Sequence, residues 1–136
     1  FAAAAIPIGR FVTRDGTSDS KVKLPAASAD VTDIAKIQGV VIRDLSQPNQ
    51  PGVTPDSIEA GRPLPVLKKG RVYVFCEDAV DPTDEVFVRF TANGAGKQPG
   101  QVRSDADTAK AVALPSGRFL EATGAGEYAP VEFDIP

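Results

Sequence analysis

Glycine and proline punctuate this chain so evenly that long helices have almost nowhere to form. The 136 residues include 12 Gly and 12 Pro, and both residue types interrupt helices. Between them lie short runs rich in Val, Ile, Phe and Thr, the pattern of many brief strands joined by turns. The clearest strand is expected over 71–77, with Val72, Val74 and Cys76 on one face and Arg71, Tyr73 and Phe75 on the other. A second is expected over 84–91, where Val86, Val88 and Phe90 alternate with Glu85, Phe87 and Arg89. The intervening Asp81-Pro82 carries turn chemistry, so the two strands read as a hairpin with a loose loop. Val40, Val41 and Ile42 make a continuous apolar run within 39–45, which predicts burial on both faces. A fourth strand is expected over 131–135. Weaker candidates at 6–12, 21–24, 64–67, 111–114 and 119–122 bring the total to eight or nine.

Helix is expected only over 29–37, at most two turns long with Ser28 or Asp30 as its cap, and a strand fits that segment nearly as well. The length fits one domain over 1–136, with an N-terminal arm at 1–8. The sequence begins at Phe1, so an earlier segment is expected, and 1–8 lacks the basic leader and cleavage region of a signal peptide. Two segments read as exposed loops: 46–58, stiffened by Pro48, Pro51 and Pro55, and the glycine-rich 92–100.

Missing residue types exclude whole classes of chemistry. There is no histidine, which removes the Ser–His–Asp triad and the Cys–His pair. The single cysteine, Cys76, excludes an internal disulfide and multi-cysteine zinc sites, and its strand position reads as a small buried hydrophobe. The chain carries 15 Lys+Arg against 18 Asp+Glu, the wrong balance for direct nucleic-acid binding. No apolar run is long enough for a membrane-spanning helix.

The acidic groups Asp15/Asp19, Asp30/Asp33, Glu77/Asp78/Asp81, Asp84/Glu85 and Asp105/Asp107 read as solvated loop carboxylates. A glycosidase needs only two facing carboxylates, so Asp15, Asp105 and Asp107 are the residues an enzyme of that kind would use. Gly94-Ala95-Gly96-Lys97 fails the spacing of a phosphate loop. The tetrads Gly9-Arg10-Phe11-Val12, Gly70-Arg71-Val72-Tyr73 and Gly117-Arg118-Phe119-Leu120 share a Gly-Arg-apolar form. Each reads as a turn glycine before a strand; the sharper reading aims their arginines at an acidic partner. Tyr73, Phe75, Tyr128 and Phe87 are the available aromatic platform for a carbohydrate-binding β-sandwich, the alternative reading of function.

Order and spacing carry a resemblance. The segments are Ile8-Gly9-Arg10-Phe11-Val12, then Gln38-Gly39-Val40-Val41-Ile42-Arg43-Asp44. The stretch Ala60-Gly61-Arg62-Pro63-Leu64-Pro65-Val66-Leu67-Lys68-Lys69-Gly70-Arg71-Val72-Tyr73-Val74 follows. Last come Leu114-Pro115-Ser116-Gly117-Arg118-Phe119-Leu120-Glu121-Ala122 and a closing strand through Ile135. With this pattern the chain resembles the structural cement, or decoration, proteins of tailed-bacteriophage capsids. The resemblance implies an all-β, jelly-roll-like sandwich or barrel with no catalysis and no cofactor or metal. It implies a place on the outer surface of the virion capsid, bridging neighbouring major capsid proteins, with self-association as a dimer or, second, a trimer. Nucleic acid and membrane are not implied partners. Loop position then marks Phe1, Ile6, Pro48, Pro51, Pro55, Lys68, Lys69 and Arg71 as the expected partner contacts.

Overall fold

The computed structural model describes residues 1–18, 20–43 and 57–135. The all-β expectation holds. Among the described residues, eleven strands and one short helix follow in chain order: β1 (Ile6–Pro7), β2 (Phe11–Arg14), β3 (Val22–Lys23), α1 (Ala29–Thr32), β4 (Ile37–Val41), β5 (Ser57–Ile58), β6 (Val66–Leu67), β7 (Lys69–Phe75), β8 (Glu85–Arg89), β9 (Val102–Arg103), β10 (Ala111–Phe119) and β11 (Tyr128–Asp134). They form a four-stranded sheet ordered β3-β2-β4-β6, a five-stranded sheet ordered β7-β11-β10-β8-β9, and a β1-β5 pair. The chain passes from β6 in one sheet to β7 in the other across Lys68. At its far end β7 reaches β9, where Cys76 bridges Val102, so the five-stranded sheet curls until its edges meet.

Alternation decides what is inside. Val74, Val131 and Phe119 are buried in the main core with Val86, Val88 and Val102. Phe11, from the four-stranded sheet, packs on Phe133 at 5.3 Å between ring centroids, which locks the two sheets together. The apolar run in β4 is buried on both faces as expected: Val40 belongs to the main core and Val41 to a second cluster with Ala2, Ile6, Val12, Val22 and Ile58.

Three expectations need correction. The hairpin between 71–77 and 84–91 does not form, because β11 and β10 lie between β7 and β8. The turn itself is real: Asp84 N–H donates to Asp81 O at 3.0 Å and Thr83 N–H to Asp81 Oδ1 at 2.7 Å. Its loop is instead tied to 123 by the Val80–Thr123 bridge, and β7 pairs with the seven-residue β11 over its whole length. Helix α1, a single turn, stays within the two turns expected, and Asp30 accepts the N–H groups of Ala26 and Ala27 at 3.0 and 3.2 Å. The arm expected at 1–8 is part of the body: Ala2 N–H donates to Arg62 O at 3.0 Å and Ala3 N–H to Val22 O at 2.8 Å, while Ile6 pairs with Ile58. Small alanines let this segment lie close against its neighbours. The weak candidate at 111–114 runs on to Phe119 as one strand, β10, leaving 120–122 outside it, with an irregularity between Ala113 and Arg118 where Pro115 cannot donate to a ladder.

Candidate interaction surface

The outward residues of β7 and β11 are set by strand period alone. Lys69, Arg71, Tyr73 and Phe75 project from β7, and Tyr128, Pro130, Glu132 and Asp134 from β11. Cross-strand register sorts them by chemistry. At one end, Lys69 Nζ lies 3.5 Å from Asp134 Oδ2, and Arg71 Nε donates to Glu132 Oε2 at 2.7 Å. Arg118 of β10 meets the same carboxylate from the other side at 3.3 Å. Hydrogen bonding from Arg71 is the main reason the Glu132 carboxyl titrates below its ordinary range.

At the other end the surface is aromatic. Tyr73 and Tyr128 are exposed at 63% and 53%, and Phe75 meets Tyr128 edge-on, 5.7 Å between centroids at 84°. Gly9 closes against this group: a Cβ there would sit 3.3 Å from Tyr128 Cε1. An open groove of about 480 Å³ runs here between Ile8, Val41, Ile42, Tyr73 and Tyr128. Tyrosine and arginine are the residue types enriched at protein interfaces. Of the aromatic platform read from sequence, Tyr73, Phe75 and Tyr128 come together; Phe87 on β8 is two strands away.

The expected contact residues fare unequally. Phe1 is about half exposed, and its ammonium donates to Ser20 O. Ile6 is 1% exposed, so its side chain is spent inside this chain, holding the first segment in place. Lys68, Lys69 and Arg71 are exposed, and the last two already have acidic neighbours within the chain. Pro48, Pro51 and Pro55 lie outside the described residues.

A second constellation escapes the sequence reading. Glu77, read as a solvated carboxylate, is buried with Arg89; their side chains are 1% and 0% exposed. Arg89 Nε donates to both Glu77 oxygens at 2.9 Å and Nη2 to Oε1 at 2.6 Å. Its Nη2 also donates to Asp107 and its Nη1 to Thr91 O at 2.9 Å. Arg103 Nη1 donates to Glu77 Oε1 at 2.9 Å, and its Nε to Asp105 Oδ1 at 2.9 Å. Asp78 accepts the Ser104 hydroxyl at 2.7 Å. The cluster seals the seam where β7 meets β9. It also holds the turn at 107–109, whose Asp107, Thr108 and Ala109 all have positive φ, a conformation that L-residues adopt at a cost. Burial alone would lower the Arg89 pKa, but the bonds and charge of Glu77 and Asp107 outweigh it and the net shift is upward. The sequence signal was an arginine among the apolar residues of β8 and a glutamate ending an apolar strand.

The carboxylates an acid–base enzyme would use are therefore engaged: Asp105 and Asp107 by arginines, and Asp15 by Lys21 at 3.4 Å. Among the described residues no group of three His, Cys, Asp or Glu side chains is placed to hold a metal ion.

Two outcomes follow. Hydrogen bonds from Arg89 and Asn93 draw the Asp107 carboxyl down to about 2. The folded-state value lies below the unfolded one, so its stabilisation is complete above about pH 4 and is lost as pH falls towards 2. The urea midpoint should decline across that window, and Asp107→Asn should flatten the decline. For Cys76, burial pushes the thiol up to about 11, and its Sγ donates to Asp78 O. The native protein should resist a thiol-exchange reagent at pH 8 and react stoichiometrically once unfolded in urea.

Comparison with known proteins agrees with the sequence pattern. A family model described as structural cement protein (E217 gp24/Pam3 gp6) matches residues 1–134. Among solved structures, a chain from the capsid of Myoviridae phage XM1 is similar at a TM-score of 0.66 and 23% identity, covering 98% of this chain and 78% of that one. The likeness to that chain is one of fold. No curated protein matches.

Proposed function

The chain belongs to the phage structural cement protein family, and from that premise we propose that it binds the outer surface of the capsid shell. There it bridges neighbouring major capsid proteins, self-associates as a dimer, with a trimer as the alternative, and catalyses nothing. The observation that carries this reading is the family match over residues 1–134. The chemistry of the surface supports it. Its prominent features are exposed tyrosines and arginines on rigid strands, and the acidic groups an enzyme would need are tied to cations. Many copies on one shell turn modest contacts into firm attachment, because each linked contact raises the effective concentration of the next. Phe1, Lys68, Lys69 and Arg71 are the exposed contact candidates, with Pro48, Pro51 and Pro55 proposed from loop position. The domain 1–136 acts as one unit in this reading.

Antibodies raised against the purified chain test the placement. Labelling of intact particles in electron micrographs is the expected result; labelling only after the shell is opened would overturn an outer position. One observation favours a second reading, carbohydrate binding: Tyr73 and Tyr128 stand exposed on one face. A glycan array signal lost on Tyr73→Ala would support it.

A further inference from the structure

Two of the three Gly-Arg-apolar tetrads converge on one carboxylate. Gly70-Arg71 lies in β7 and Gly117-Arg118 in β10, and β11 runs between them, pairing Glu132 with both arginines in register. A Cβ on Gly117 would lie 3.2 Å from Leu114 Cδ2 and Val86 Cβ, so β10 sits tightly on the core at the residue before Arg118. The third tetrad goes elsewhere: Arg10 donates from Nη1 to Pro99 O at 3.1 Å.

The arrangement leaves donors unused. A guanidinium carries five N–H donors in a planar fork suited to two-point binding of carboxylates. Both contacts to Glu132 are made through Nε. Among the described residues, the terminal Nη groups of Arg71 and Arg118 have no protein acceptor. The two side chains are 70% and 64% exposed. They line an open groove of about 510 Å³ with Lys69, Pro115, Ser116 and Glu132. The groove lining sets Lys69, Arg71 and Arg118 against Glu132 and Asp134, with Glu85 opposite Arg118 on the β8 side and outside the lining, so the lining itself carries one excess positive charge on a chain whose net charge is -3. Glu132 spaces the two arginines and leaves their outer ends to a visitor.

We propose that this groove captures a carboxylate side chain from an acidic protein segment, held between the Nη groups of Arg71 and Arg118. The identity of that segment as part of the shell protein rests on the cement reading; the carboxylate chemistry does not.

Two measurements separate these points. In the first, the free ¹⁵N-labelled chain is titrated with a tetraglutamate peptide, and in parallel with inorganic phosphate and an eight-residue oligothymidylate. Peptide-dependent shifts of the Arg71 and Arg118 Nε–H signals, absent in R71Q/R118Q, are expected. No shift, or saturation by phosphate or oligonucleotide at lower concentration than by peptide, would overturn the proposal. In the second, wild type and R71Q/R118Q are bound to shells stripped of this protein at 50 and 300 mM salt. The double variant should bind about tenfold more weakly, with a flatter salt dependence, while keeping its urea midpoint. Equal affinity and equal salt dependence would remove the groove from the shell contact. Failure of the wild type to bind shells would defeat the cement reading and the shell protein as the source of the segment, with the peptide titration still deciding the chemistry.

Discussion

Glu77→Ala is expected to lower the unfolding free energy by about 3–5 kcal/mol, the scale for removing one partner from a buried ion pair. The size follows from what would be left behind. Arg89 is completely buried and makes three of its contacts to Glu77, so the variant strands a desolvated guanidinium with only Asp107 and the Thr91 carbonyl. Arg103 loses its contact to the same carboxylate. A fall in the melting midpoint of roughly 10 °C should accompany the loss. The double variant Glu77→Leu/Arg89→Met should recover much of the loss, since well-packed apolar residues can replace a buried pair at little cost. Exposed Glu121→Ala should stay within about 0.5 kcal/mol of wild type. Urea denaturation of the four proteins checks the set; a Glu77→Ala change as small as that of Glu121→Ala would mean the cluster contributes little.

Gly39→Ala is expected to cost roughly 3 kcal/mol through backbone strain and a collision. Gly39 has φ +136, and an added Cβ would fall 2.0 Å from the Leu67 carbonyl oxygen, far inside contact distance. Leu67 cannot yield alone. It is paired with Val40 and lies two residues before β7 begins, so displacing it pulls β6 from its sheet and disturbs the crossover at Lys68. Gly96→Ala is the matching control, because nothing lies within 4 Å of the added Cβ. Its urea midpoint should be unchanged while that of Gly39→Ala falls sharply; equal midpoints would show that β6 can shift freely.

These residues also mark what the sequence made legible. The two faces of β7 and the burial of Val40 and Val41 on opposite sides of β4 follow from local period, which each strand carries within itself. The Asp81 turn was legible for the same reason. Partner choice was not: period-2 alternation fits β8 or β11 equally well beside β7, and only the longer match to Tyr128–Asp134 decides. Glu77 and Arg89 lie twelve residues apart and meet because the sheet curls, so their burial appears only after the topology is known. Of the interaction surface, Lys69, Arg71 and the Tyr73/Phe75/Tyr128 cluster were legible as outward positions. That Arg71 and Arg118 share Glu132 required the register. Ile6 reads as part of a loose arm until its pairing with Ile58 shows it to be core.

The most direct test of a shell-binding role is the copy number of this chain relative to the major capsid protein in purified particles from its source, by quantitative mass spectrometry. A fixed ratio near one to one, or another simple fraction set by the shell's symmetry, is the expected result. Trace amounts or absence would contradict it.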